Sequence, residues 1–402
     1  KILIFAKTYI LKKLYLISVL LPLILFGQNT EKISDYGFEN VQENYNLDMY
    51  TLFYEDNLYR FPADGLFEVL NLIEIDSKFK QNQIVLLNKG ISMIEMTFFT
   101  IDFLDFKNKR IDFEEFVSRS NIGFTKAEYD PEKSINASYF KTDLKLKFRL
   151  DYQMIGFDPG WAQVVNFQPM ISSDLGKGFN LQAYYNFPEF NTIDSREPQV
   201  ELLKISNDFK ITPQSFLNTN LGFYTFNRFG LTFNYIKFLY KDIVRFKLHG
   251  GITRFGRLNK DFLLFYQPNI DLRLDYHTDL TFRWNKYDID MTFRYGSYVL
   301  NDLGYTFFVR RYSGQRFISL HYSNTTFGKS LGFNFNIPIP IKKYNRKRPV
   351  RLQLYENFYV PYYYRDTSAL LNYEGDNIVS QLTSYMPEIL RKGLLKASKK
   401  GQ

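Results

Sequence analysis

His321 and Ser323 stand two residues apart in the run RFISLHYSNT, a spacing that puts a base and a nucleophile on one face of a β-strand. A membrane-embedded lipid hydrolase could use such a pair. No carboxylate stands beside them in sequence and only the neighbouring Asn324 offers an orienting amide, so the pair reads better as a strand histidine on a polar face. Glu55 and Asp56 are the residue types of glycoside acid/base chemistry. Adjacent strand residues point to opposite faces, however, so these two cannot flank one bond, and a structural role with Glu55 or Arg60 in a local ion pair fits better. The chain has three histidines and no cysteine, which removes disulfides, thiolate metal sites, cysteine nucleophiles and the acylated cysteine of a lipoprotein. Phosphate-binding glycine loops, dinucleotide fingerprints, zinc spacings and calcium loops are also missing from the sequence. These residues point away from an enzyme and imply no cofactor and no metal.

A basic set is larger. Lys145, Lys147, Arg149, Arg245, Lys247, Arg283, Arg294 and Arg310 fall on the polar side of alternating segments, offset by Asp143, Asp151, Asp288 and Asp290. On barrel strands they would face the lumen, where focused positive potential would draw an acidic polysaccharide. The competing reading is that the charges pair across neighbouring strands and fill a small barrel. The basic stretch Lys342 to Arg348 could meet lipopolysaccharide phosphates or anionic headgroups, or form a solvated hairpin. The formal charge of +9 suits anionic partners without choosing among them, and nucleic acid is not among those expected.

The elements that must position these residues follow from patterning. Forty-one Phe and 31 Tyr, with a hydrophobic fraction of 45% and a negative mean hydropathy, describe apolar side chains interleaved with polar ones. In Thr142 to Tyr152, Leu144, Leu146, Phe148, Leu150 and Tyr152 alternate with charged residues; Ile289 to Tyr295, Leu303 to Val309 and Leu331 to Ile337 repeat the pattern. Runs of about 9 to 11 residues are what a tilted strand needs to cross a bilayer. Asp158-Pro159-Gly160, Asn227 to Gly230, Asn301-Asp302 and Ser313-Gly314 are turn signals between such runs. The reading is a mainly β chain: an antiparallel transmembrane β-barrel of about 12 strands (10 to 14), an even number being expected for a single-chain barrel.

Around it, residues 1–27 read as a signal peptide with an apolar run from Leu14 to Phe26, and 28–45 as a polar linker. Residues 46–135 alternate strand and helix and predict a small α+β periplasmic domain. The barrel is assigned to 136–365 and a helical periplasmic tail to 366–402. A soluble β-sandwich would also alternate, but the signal peptide and the aromatic load favour the membrane.

Two stretches carry a family resemblance. YEDNLYR, Tyr54 to Arg60, followed by a short helix, resembles the early Tyr-Glu-Asn-x-x-Tyr-Arg stretch of YjbH-like proteins, outer-membrane proteins associated with exopolysaccharide production. DLGYTFFVRRYSGQRFISLHYSNTTFGKSLGFNFNIPIPIKK, Asp302 to Lys343, resembles their closing strands. In this chain Asp56 follows Glu55 where the family pattern has Asn. The resemblance implies a Gram-negative outer-membrane location and a non-enzymatic part in exopolysaccharide export or assembly. Implied partners are outer-membrane lipid and lipopolysaccharide, an acidic polysaccharide, periplasmic export proteins and the barrel-assembly machinery. A general porin or structural envelope protein is the alternative.

Overall fold

The computed structural model describes residues 28–46, 48–155, 160–191, 198–225, 227–258, 264–266, 272–298, 301–314, 316–338, 349–355, 357–364 and 381–400. The expected signal peptide, the Asp158-Pro159 turn and the basic stretch 342–348 lie outside the described residues, as does the side chain of Arg149.

The chain begins with α1 (Gln28–Tyr36) and a five-stranded sheet in the order β1 (Glu39–Tyr45), β2 (Met49–Glu55), β3 (Gln81–Asn88), β4 (Ile91–Phe99) and β5 (Asn121–Phe124). β2 and β3 run parallel, joined through α2 (Pro62–Leu72), and the other pairs are antiparallel. Pro62 opens α2 where no intrahelical N–H is needed, and Ala63, Leu66, Val69 and Leu70 form its buried stripe. The helix expected across Asp102 to Ser118 is two helices, α3 (Thr100–Lys107) and α4 (Phe113–Arg119). The chain breaks between them at Lys109, whose φ is +59°, and Asp112 restarts the helix by accepting from the Glu115 N–H.

The linker expected over 28–45 is instead a helix and an edge strand. Its sequence looks polar because much of what it buries is polar: Asn29, Thr30, Glu39, Asn40 and Gln42 are buried beside Ile33, Phe38 and Val41. Asn136 then covers the edge of β1, accepting from the Asn40 and Val41 N–H groups and donating to the Phe38 carbonyl.

Among the described residues the second sheet holds fifteen strands. They are β6 (Thr142–Ile155), β7 (Gly160–Gly176), β8 (Phe179–Asn191), β9 (Gln199–Thr212), β10 (Ser215–Tyr224), β11 (Arg228–Leu239), β12 (Val244–Leu258), the short β13 (Leu264–Tyr266), β14 (Arg273–Trp284), β15 (Ile289–Tyr298), β16 (Asp302–Ser313), β17 (Arg316–Thr325), β18 (Gly328–Pro338), β19 (Val350–Leu354) and β20 (Asn357–Tyr364). Leaving aside β13 and β19, thirteen strands pair antiparallel with their chain neighbours, β11 with β12 included. An even count is expected, and the odd one has a direct geometric result. Alternating directions leave first and last strands pointing the same way, and β20, with β19 before it, pairs with β6 in parallel.

Within the tail expected over 366–402, α5 (Pro387–Lys400) is described. It docks on the first sheet's helices, so Leu382, Met386, Leu390 and Leu394 share one core with Leu66 and Phe116. Phe216, Ile236 and Phe238, at the ends of β10 and β11, belong to that same core. The α+β unit and α5 therefore sit against the end of the large sheet that carries the turns at 177–178, 213–214, 240–243 and 285–288.

Candidate functional site

Period-two patterning gives the large sheet two faces of opposite character. On one face Leu221, Leu231, Ile252, Leu274, Leu280, Phe293, Phe307, Ile318, Leu320 and Leu331 are exposed. On the other, Asn218, Asn220, Thr232, Asn234, Thr306, Ser319 and Ser323 are at most 1% exposed. Polar side chains are buried and large apolar ones are not, the reverse of a water-soluble sheet.

The basic residues singled out from sequence lie on the polar face wherever their side chains are described. Arg294 forks onto Asp279 with bonds of 2.7 and 2.8 Å. Arg283 donates to Asp290 at 2.8 Å and to Asp288 at 3.3 Å, and Arg245 bonds the other Asp290 oxygen and donates to Thr383 at 3.0 Å. Lys147 lies over the rings of Tyr184 and Tyr355, and Arg310 over Phe317. Lys145 pairs in register with Met170, and Lys247 with Asp279. Of the offsetting carboxylates, Asp143 takes a forked pair from Arg351 at 2.9 and 2.7 Å, and the Asp151 side chain lies outside the described residues. The arrangement is a set of charges committed to neighbours.

Further polar groups continue the network. Asp208 accepts from Asn218 at 2.7 Å, Asn220 donates to Asn218 and Thr232, and His249 sits between Asn234 at 3.1 Å and Asp275 at 2.6 Å. His249 and His277 face each other in register, their rings stacked 4.6 Å apart. Among the described residues no group of three or more His, Asp or Glu side chains could hold a metal ion.

His321 and Ser323 do share the buried face of β17, as the two-residue spacing requires. Asn324 points to the opposite face, where its amide donates to the Tyr305 hydroxyl, so it cannot orient His321. Glu55 and Asp56 part company in the same way. Glu55 accepts from Asn40 at 2.6 Å and from the Gly90 N–H at 2.9 Å; Asp56 accepts from the Leu58 and Tyr59 N–H groups and turns the chain from β2 toward α2. Gly65 of α2 lies so close that a Cβ there would come 2.0 Å from an Asp56 carboxylate oxygen. YEDNLYR is a junction motif: Asn57 donates to Glu39, its carbonyl accepts from Arg351, and Lys141 pairs with Glu39 at 3.0 Å.

Other contacts that fasten the α+β unit to the large sheet carry no sequence signal beyond charge. Lys89 pairs with Asp208 at 2.9 Å, and Lys210 donates to the carbonyls of Ser92 and Thr125. Lys392 of α5 pairs with Asp288 at 2.8 Å. Asp242, in the turn between β11 and β12, accepts from the Glu388 N–H at the start of α5. Burial pushes the Asp242 carboxyl up to about 6 although Arg283 and Arg245 stand nearby.

A carboxyl whose folded pKa is raised adds stability that is complete below its ordinary value of 3.8 and lost as pH rises through about 6. Proteolysis just before α5 should therefore be slower at about pH 5 than at about pH 7.5, and Asp242→Asn should flatten the difference. A variant with the wild-type pH profile would remove Asp242 from this role. Compared with protein families, curated proteins and solved structures, the chain matches none.

Proposed function

We propose that this chain is a non-enzymatic outer-membrane β-barrel protein that takes part in exopolysaccharide export or assembly. In this reading the thirteen main strands close into a barrel with a filled, ion-paired interior. The α+β unit and α5 cover its periplasmic end, and residues 1–27 are the export signal.

The observation that carries the membrane part is the inverted burial. Leu320 and Ile318 are 59% and 63% exposed while Ser319 between them is at 0%, and the same contrast recurs from strand to strand. In water so much contiguous apolar surface would drive aggregation; in lipid it is the stable arrangement. A sandwich would bury the apolar faces instead. The exposed band carries aromatic residues toward both ends, Tyr276, Tyr295, Tyr305 and Tyr322 toward one and Trp284 and Tyr287 at the other. From Tyr276 to Trp284 is about 27 Å of strand at ~3.4 Å per residue, or about 20 Å of membrane at a tilt of about 40°. The end that carries both the α+β unit and α5 has short turns, which fits the periplasmic side.

The polysaccharide part is supported by the resemblance of Tyr54 to Arg60 and Asp302 to Lys343 to YjbH-like proteins. Inside the barrel, arginines that already hold carboxylates favour a scaffold that docks periplasmic export partners over a general porin.

Leu280→Arg tests the membrane reading, because Leu280 is exposed midway between Tyr276 and Trp284 on β14. On a lipid-facing strand near the bilayer midplane the change should cost about 2–4 kcal/mol, read as a lower temperature for loss of compact mobility on an unboiled gel. On a solvated surface it should stay within about 0.5 kcal/mol, and that result would refute a lipid-facing β14.

A further inference from the structure

We propose that the short-turn rim of β14 to β17 holds the phosphate of an anionic phospholipid headgroup, through Arg311, Arg316 and Lys286. The proposal rests on the barrel reading above. Trp284, Ile289, Arg311 and Ile318 lie side by side in register across four strands on the outward face. Arg316 is two residues from Ile318 toward the rim and pairs with Ser313, which puts its Cα within about 8 Å of that of Arg311 on the neighbouring strand. Lys286 stands in the adjoining turn with its ammonium 5.4 Å from the Tyr287 ring centre.

All three basic side chains are exposed, and among the described residues none has a carboxylate partner. The contrast with the inward arginines is sharp. Arg245, Arg283 and Arg294 each hold an aspartate, and the turn's own Asp288 is committed to Arg283 and Lys392. Two like charges on neighbouring strands repel unless an anion lies between them. The arginine fork matches a phosphate's oxygens, and a cation this close to apolar surface needs a counter-ion at the headgroup level.

The neighbours place that level. Leu280, Phe282 and Ile318 are exposed on the apolar side of the patch, while Trp284 and Tyr287 pack edge-to-face at 4.7 Å beside it. An amphipathic aromatic pair between an apolar band and free cations is the pattern of a membrane–water interface. A lipid satisfies both halves at once, its chains on the apolar band and its phosphate on the arginines.

The test reconstitutes the full chain in phosphatidylcholine vesicles containing about one quarter phosphatidylglycerol, then measures by native mass spectrometry which lipids stay bound after gentle extraction. Wild type should retain phosphatidylglycerol several-fold above its share of the vesicle, Arg311→Gln/Arg316→Gln should retain it at that share, and Arg311→Lys should fall between. Vesicle flotation should be the same for all three. Protein that floats without enrichment, or a double variant that keeps it, would overturn the site while leaving the barrel reading intact. Protein that fails to float would overturn the barrel reading and the site with it. Loss of the bound lipid on adding inorganic phosphate alone would assign the patch to a free anion and overturn the lipid assignment.

Discussion

Asp290→Ala should cost about 3–5 kcal/mol, because it takes the shared counter-charge from the buried Arg283 guanidinium and the partly buried Arg245 one. Asp290 is 2% exposed, takes one Arg283 nitrogen on one carboxylate oxygen at 2.8 Å and bonds Arg245 through the other. The Arg283 side chain is itself 1% exposed, so water cannot reach in to replace the carboxylate. Asp288 is the nearest substitute, but it already holds Lys392 and reaches Arg283 only at 3.3 Å. The loss should appear as a lower temperature for the transition to the slow-migrating, unfolded band. Replacing the whole cluster, with Asp290→Leu, Arg283→Leu and Arg245→Met together, should recover most of it, since removing a buried ion pair intact is far cheaper than breaking one. A loss below about 1 kcal/mol for Asp290→Ala would mean that solvent hydrates these arginines. In the proposed barrel the interior would then be an open, cationic channel, and the porin reading would displace the scaffold.

That choice between paired and free charge is where sequence reasoning ran out. The face each basic residue occupies was readable, because alternation reports the direction of each side chain along its own strand: Lys145, Arg283 and Arg294 point where period two puts them. Which carboxylate each one meets depends on register between strands. Arg245 and Asp290 are 45 residues apart, with β14 between their strands, and nothing local to either residue announces the other. The same limit hid the parallel meeting of β20 with β6, which depends on the parity of the whole strand count. The junction carboxylates were half legible. Opposite side-chain directions already separated Glu55 from Asp56, but the turn that Asp56 closes is a backbone arrangement, and only the nearness of Gly65 shows how tightly α2 is drawn onto it. Residues 28–45 looked like a linker for a simpler reason. Glu39, Asn40 and Gln42 are buried through hydrogen bonds that composition does not announce, and beside them only Ile33, Phe38 and Val41 are apolar buried anchors.

Leu390→Ala with Leu394→Ala should release the α+β unit from the large sheet while the strands stay folded. Both leucines are fully buried, one turn apart on the face of α5 that meets α2 and α4, and each truncation in a packed core costs about 2–5 kcal/mol, with less than full additivity for neighbours. The docking is close enough to require glycine: a Cβ on Gly393 would come within 2.2 Å of the Phe61 ring and 2.6 Å of the Ala63 methyl. From the same helix Arg391 donates to the carbonyls of Val117 and Ser120, while Lys392 reaches the turn before β15. α5 thus touches the α+β unit with one side and the rim of the large sheet with the other. Limited proteolysis should cut the double variant rapidly between residues 100 and 140, with the unboiled protein still migrating as a compact species. Equal resistance in variant and wild type would show that Lys89 with Asp208, Lys141 with Glu39 and Arg351 with Asn57 suffice to hold the unit, and α5 would lose its role as the clamp.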